Sequence, residues 1–475
     1  MQHSASPVLT RRALLAGAVA APAAGAAPPV SERVFTPEMF GAKGDGVTDD
    51  SDAMAALGGA VNIHGGGTIR FRPVTYRVGR QALSSDPRAR HVWAEAPLLT
   101  LYRCHLPLRI IGNGARLKCA DGLRYGTFNR DGSKLQHGMP YLGLGACTPY
   151  EAMITISECT GSVEVSGLEL DGNLPNLSIG GQFGDTGFQI HALGLALYNN
   201  VGPETIRDVH THHHAQDGLY IDGLDKDVAG VQHRSITNVR SEYNGRQGCS
   251  IVGGRDYVFE RCQFNHTGRA GVASAPGCGV DIEAENKRNR NLRFVDCEFS
   301  DNFGCGVAAD TGDSEGVRFT NCRFIGTTSW SVWPNKPFMR FQACTFVGAL
   351  CRAWGDDDPA RAAQFTGCTF TDNPRLSPTG KVFGGSNPGH PLADLSEAQN
   401  VLFSHCRFLA THGFVLPWST RAIYADCVME QGRGESLPRG SYLGYTVITG
   451  NAGLYGSKIR GKVLLNGTLY QNRVF

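Results

Sequence analysis

The sequence predicts an all-β chain, a right-handed parallel β-helix solenoid with an N-terminal capping helix. Two repeated phrases and the glycine content carry that expectation. A glycine (Gly194, Gly218, Gly248, Gly279, Gly306) opens five alternating runs, LALY, LYID, CSIV, VDIE and VAAD, at spacings of 24, 30, 31 and 27 residues, and WSVW follows Ser329 another 23 on. A period of that size is one coil of a solenoid.

Between these runs Cys-x-Phe recurs at Cys262, Cys297, Cys322, Cys344, Cys368 and Cys406, with Cys427-Val-Met429 as a last, altered copy. Alternate residues of a strand share a face, so Cys and Phe point inward together and the polar residue between them points out. Each coil therefore carries at least two strands. A leucine-rich repeat would need a fixed Leu ladder and Asn that are missing. Glycine, 61 of 475 residues, suits a chain that turns every few residues and needs φ > 0 at many corners.

In chain order, Thr10-Arg11-Arg12 precedes the apolar run ALLAGAVAAPAAGAA, too short to span a bilayer and ending in small residues. Residues 1–27 resemble a twin-arginine export signal, which implies a periplasmic or secreted protein that crosses the membrane already folded. Residues 28–475 read as a single β-helix domain with no membrane span. Fifteen cysteines in an exported chain would ordinarily mean disulfides. Seven occupy one repeated inward position, however, so their expected role is a ladder of small buried hydrophobes. The formal net charge of +2 argues against nucleic acid and anionic membranes as partners.

The segment 34–80 reads as an N-terminal cap. Asp49 and Asp50 are placed to cap a helix whose Met54, Leu57, Ala60 and Val61 form one apolar stripe. The acidic run lacks the spacing of a calcium loop. Residues Val34 to Asp50, with Gly44-Asp45-Gly46, followed by Gly65-Gly66-Gly67 and Thr75-Tyr76-Arg77-Val78, resemble the opening segment of the pectate-lyase-like β-helix superfamily, shared by polygalacturonases, phage tailspikes and mannuronan epimerases. That resemblance implies a glycan as substrate. The polygalacturonase site phrases are missing. Asn244-Gly-Arg246-Gln-Gly248 is similar to the later arginine-bearing coil of the epimerases, while Leu195 to Asn200 stands where they carry a Tyr-Gly-Phe-Asp-Pro-His-Glu phrase.

Leu106 to Leu117 and Met153 to Leu170 read as early coils. The stretches 121–150 and 171–187 read as long irregular loops overhanging one face. Residues 376–397 are a Pro- and Gly-containing insertion. The closing segment 440–475 is a C-terminal cap built on an Asn466-Gly467 hairpin turn.

Stacking the six aligned runs places carboxylates and aromatics on the outer face. The second column reads Ala196, Tyr220, Ser250, Asp281, Ala308, Ser331; the fourth reads Tyr198, Asp222, Val252, Glu283, Asp310, Trp333. Flat rings flanking a group of acids are what a glycan groove requires. Glu283, between Asp281 on its own coil and Asp310 on the next, is expected to have its pKa raised by like charge and to donate the proton, with Asp281 as base. Arg246 is expected to hold a substrate hydroxyl or carboxylate, unless it pairs with Glu242 or Asp281. Tyr198, Tyr220, Asp222, His214 and Trp333 are expected to line the groove, and Asp217 to be structural. The run His210 to His214 lacks zinc-ligand spacing, and a strand would put neighbouring histidines on opposite faces; no metal is assigned.

The expectation is a carbohydrate-active enzyme, a glycoside hydrolase using Glu283, Asp281 and Asp310. A lyase or epimerase of uronic-acid glycans would instead use the carboxylates to hold Ca²⁺, the one cofactor under discussion, and would move the proton with Arg246 or His214. A non-catalytic glycan-binding solenoid is the third reading.

Overall fold

The Cys-x-Phe phrase is the second half of a longer unit, Phe-x-x-Cys-x-Phe, seen at Phe294 to Phe299, Phe319 to Phe324 and Phe341 to Phe346. In the computed structural model, which describes residues 33–475 apart from 87, 90, 136–145, 182–189, 226–232 and 386, each unit is two short strands, such as Arg318–Thr320 and Arg323–Ile325, joined by a sharp bend. The residue before each cysteine makes that bend in the left-handed region. Asp296 (φ 54°), Asn321 (φ 52°), Gly367 (φ 63°) and Asp426 (φ 54°) are of the types that tolerate it, whereas Arg261, Ala343 and His405 adopt it under the constraint of the stack.

Both strands pair in parallel with their equivalents one coil away. The first ladder runs Phe294, Phe319, Phe341, Phe365, Phe403, and the second Phe299, Phe324, Phe346, Phe370, Phe408. Together they form a 27-stranded sheet. Ring centroids stack at 4.9 Å for Phe319 and Phe341 and 4.7 Å for Phe346 and Phe370, the spacing of paired strands. The Cys-x-Phe ladder is legible in the sequence; the one three residues upstream of each cysteine is an addition from the structure.

All fifteen cysteines are buried and free. The thiols of the repeated ladder point at a carbonyl one coil back: Cys322 Sγ lies 3.4 Å from Phe294 O and Cys368 Sγ 3.5 Å from Phe341 O. Burial pushes the Cys262 and Cys344 thiols well up, while hydrogen bonds from neighbouring thiols pull Cys322 and Cys368 down; it is their burial inside the stack that keeps a bulky reagent away from all of them. Native protein should therefore consume few equivalents of a bulky thiol reagent and all fifteen after denaturation. Full titration without denaturant would contradict the packing role.

The third face of each coil forms a 10-stranded sheet that includes Leu193–Tyr198, Asp217–Asp222, Gln247–Arg255, Val280–Ile282, Val307–Ala309 and Val332–Pro334. The five glycine-led runs stack in the expected register, Leu195 on Leu219, Cys249, Val280 and Val307. The sixth is offset by two residues: Val332 pairs with Val307 and Trp333 with Ala308. Ser331 thus takes the glycine's place, buried with its hydroxyl donating to Ala349 O at 3.0 Å, and leaves the outer column. A slip of two preserves the faces, so Val332 stays inward and Trp333 outward. Val252 also drops out of its column, because a bulge pairs Asp222 with Gly253.

The one α-helix among the described residues, Ser51–His64, buries Met54, Leu57 and Val61 against the coil. Gly58 lies so close to Leu99–Tyr102 that a Cβ there would meet Thr100 O at 2.9 Å. Asn62 satisfies that strand's edge, donating to Thr100 O and accepting from Tyr102 N. Asp49, not Asp50, accepts from the Ser51 amide; Asp50 instead accepts from the amides of Lys43 and Gly44. At the other end Lys458–Leu465 and Thr468–Val474 pair antiparallel around Asn466-Gly467, both at positive φ. The described residues of 121–150 are less irregular than expected: Arg124–Thr127 and Ala146–Cys147 join Gln81–Leu83, Trp93–Glu95 and Ser178–Ile179 in a 5-stranded sheet. Val34–Phe475 clusters as one unit. Residues 1–27, where the sequence leads one to expect an export signal, lie outside the described residues, and among the described ones no helix is long and apolar enough to cross a membrane.

Candidate active site

Asp281, Glu283 and Asp310 line one pocket of about 430 Å³ on the outer side of the third sheet, with Thr311, Trp330 and Trp333 also in its wall. Three predicted acids and one predicted aromatic are thus brought together. Asp281 projects from Val280–Ile282 beside Ser250 and Ala308, its neighbours one coil either way. It is only 6% exposed.

Gln247 orients Asp281. Its amide Nε2 donates to Asp281 Oδ2 at 2.8 Å while its Oε1 accepts from the Cys278 amide at 2.8 Å, so the carboxamide is held from both ends. Burial and, second, the charge of Glu283 push Asp281 up to about 8. The acid raised most clearly in this pocket is therefore Asp281. The sequence reading ranked the acids by like-charge neighbours; burial of Asp281 is the larger effect. Asp310 is also raised, by burial and then by Glu283. Thr311 Oγ1 donates to Glu283 Oε1 at 2.7 Å. Lys336, its pKa lowered by burial although Asp310 opposes the shift, stands among these acids with Nζ on Gly312 O at 2.8 Å. Neither Gln247 nor Lys336 was singled out from the sequence, since each lies outside the aligned columns.

Other expected site residues are placed differently. Arg246 does not reach for substrate: it forks onto buried Asp217, Nε to Oδ1 at 3.0 Å and Nη2 to Oδ2 at 3.1 Å, and Ser250 Oγ donates to the same Oδ2 at 2.8 Å. Burial opposes the Arg246 charge, yet Asp217 more than offsets it and the net shift is upward. Asp217 is structural, as expected. His214 is fully buried between Tyr150 Oη (2.9 Å) and Leu170 O (3.1 Å), and burial pulls it down to about 3; it lines no groove. Asp222 is paired with Lys287 at 2.6 Å.

Tyr220 is nearly buried, packed between His191 and the half-buried Tyr198 at 5.9 and 5.6 Å. Rings therefore flank the acids on both sides along the helix axis, Tyr198 and Tyr220 on earlier coils and Trp333 on a later one. Trp333 Nε1 has no hydrogen-bond partner among the described residues, an open donor in the pocket wall. Trp333→Ala should weaken glycan binding about tenfold or more while leaving thermal unfolding nearly unchanged. Isothermal titration with unchanged affinity would remove Trp333 from the site.

A larger trough, about 590 Å³, lies on the outer side of the 27-stranded sheet and is lined by Arg293, Arg318 and Arg340. No carboxylate lines it, so it lacks the groups that acid and base chemistry needs.

Residues 189–346 match the family described as a right-handed β-helix region. With the stacked parallel sheets, this makes the chain an all-β, right-handed parallel β-helix. Among curated proteins it is similar to the capsule KN3-specific depolymerase 1 of Klebsiella phage KN3-1, 24% identical over 343 residues that cover 66% of this chain. The chain spans 39% of that relative's length. Among solved structures it resembles the A-module of the Azotobacter vinelandii mannuronan C-5 epimerase AlgE4, at 18% identity over 89% of this chain and 98% of that one, TM-score 0.43. It also resembles the tailspike gp49 of Acinetobacter baumannii bacteriophage Fri1, a capsular polysaccharide depolymerase, at 13% identity over 90% of this chain and 64% of that one, TM-score 0.43.

Proposed function

We propose that the protein is a polysaccharide-cleaving enzyme, a glycoside hydrolase whose groove crosses the third sheet at Asp281. The observation that carries this reading is a buried carboxyl pushed up to about 8 in one pocket with two further acids and two tryptophans. A glycosidic oxygen leaves as an alcohol only if protonated, and a carboxylic acid still protonated at neutral pH supplies that proton. Asp281 is the donor, steadied by Gln247. Glu283 is the second carboxylate, acting on the sugar carbon directly or through water, and Asp310 holds substrate hydroxyls. The depolymerase similarity supports a polysaccharide as the substrate class.

The Ca²⁺-assisted lyase draws no support from the residues present. Among the described residues, Asp281, Glu283 and Asp310 do not bring ligand oxygens within 4.8 Å of one another as a group. Its two proton handlers are also committed elsewhere, Arg246 to Asp217 and His214 to the interior. Incubation with a panel of bacterial capsular and other polysaccharides tests the proposal. New reducing ends without an unsaturated, ultraviolet-absorbing product are expected. Unsaturated product would establish a lyase, and binding without either product a lectin-like solenoid.

A further inference from the structure

The histidine run was set aside as a metal site because a strand sends neighbouring side chains to opposite faces. The backbone breaks that rule at one residue. His213 adopts φ 55°, so the chain turns directly after strand His210–His212 and swings the His213 ring back towards His212. The two Nδ1 atoms lie 2.7 Å apart.

Strand register adds the carboxylates. Val163–Asp171 lies one coil before His210–His212 and pairs Glu169 with His210 and Asp171 with His212. Leu170 and Thr211, between them, face the interior. Asp171 Oδ1 is 3.7 Å from His212 Nδ1, and Asp171, His212 and His213 each offer a ligand atom within 4.8 Å of the other two. Ligands about 2.0 to 2.1 Å from a tetrahedral zinc stand about 3.3 Å apart, a value that the 2.7 and 3.7 Å separations bracket.

The surroundings hold these groups for that role. His212 Nε2 faces Glu169 Oε1 at 3.1 Å. This contact puts the ring proton on Nε2 and leaves Nδ1 as a lone pair, the arrangement in which a carboxylate orients a ligating imidazole. The His213 ring lies face to face on Tyr243, 5.2 Å away and 7° from parallel. Arg116 engages the far oxygen, Oδ2, of Asp171 and also Glu169 Oε1 at 3.1 Å, leaving Asp171 Oδ1 to the histidine side, where it also accepts from the Asn173 amide.

We propose that Asp171 Oδ1, His212 Nδ1 and His213 Nδ1 bind a late first-row divalent cation such as Zn²⁺, with Glu169 and Arg116 holding the ligands. Two imidazoles and one carboxylate select such ions over Ca²⁺ or Mg²⁺. The ion joins two consecutive coils on a sheet different from that of the acidic pocket. On binding, the His213 proton sits on Nε2, and the remaining coordination positions take water.

The test uses the full described chain, free of any histidine tag and stripped with chelator, titrated calorimetrically with Zn²⁺ alone and with Co²⁺ by visible absorption. One equivalent is expected, with a cobalt spectrum of low coordination number and a raised thermal midpoint. His213→Gln, at a half-buried ring, should abolish the equivalent, as should His212→Gln. Glu169→Gln should weaken it about 10- to 100-fold, and exposed His405→Gln should leave it unchanged. No binding by the wild type would overturn the proposal in favour of a metal-free hydrogen-bond chain. Unchanged binding by a folded His213→Gln variant would overturn it in favour of ligands elsewhere.

Discussion

Asp281→Asn is expected to lower turnover by a factor of about 10² to 10⁴ with substrate binding largely kept. Asparagine preserves the shape and still meets Gln247 but has no proton to give. The same substitution should change the pH profile. In the wild type the donor is present below about 8 and is lost as pH rises through that value, so the alkaline limb of kcat/KM should fall there. Asp281→Asn should lack that limb in whatever activity remains. Stability moves with the same sign. Between the usual aspartate value of 3.8 and about 8, the folded protein holds a proton that the unfolded chain releases. Raising pH across that window therefore destabilises the wild type, at a slope of about 1.4 kcal/mol per unit at most. Denaturant midpoints of the two proteins from pH 5 to 8 check this. Parallel curves would show that Asp281 ionises normally.

Arg246→Leu is expected to destabilise the fold by about 3 to 5 kcal/mol, because it strands the carboxylate of Asp217 in the interior. Arg246 is 11% exposed and Asp217 not at all, so solvent does not screen the loss. The pair differs in this from the exposed Arg323 and Glu298, whose loss should matter by less than about 1 kcal/mol. The double variant Asp217→Leu, Arg246→Leu should recover much of the stability lost by the single one, since it removes the buried charge together with its partner. Urea denaturation of all three proteins measures the cycle. A mild single variant, with no recovery in the double, would mean that the Arg246–Asp217 pair does not hold this part of the fold.

The coil repeat was readable because it is local. Cys-x-Phe and the glycine-led runs obey a period-two rule that needs nothing but the strand. What could not be read depends on the lengths of intervening segments. WSVW looks like a sixth copy, yet it enters the sheet two residues late, placing Trp333 beside Ala308, in the same row as Asp281 one coil further back, and not at the end of the fourth column. Asp281 reads as an outward acid. Its burial comes from Gln247 and the residues around Pro276 and Cys278 that close over it, none of which the alternation rule concerns. Arg246 was placed by parity, while its partner Asp217, on the preceding coil opposite Gln247, decides where its fork points. His213 shows the same limit: a single positive φ cancels the alternation that argued against a cluster. The phenylalanines one bend upstream of the cysteines stand in all six Cys-x-Phe copies, with Tyr424 in the altered last one, and went unread, because the left-handed residue between the two strands resets the period.

The most direct measurement is the ionisation of the Asp281 carboxyl itself, followed by carbon-detected NMR on protein labelled at aspartate side chains and assigned by comparison with Asp281→Asn. The account predicts one carboxyl resonance, absent from that variant, with a midpoint near 8. A midpoint for that resonance in the ordinary aspartate range would contradict it, leaving Asp281 ionised and without a proton to give.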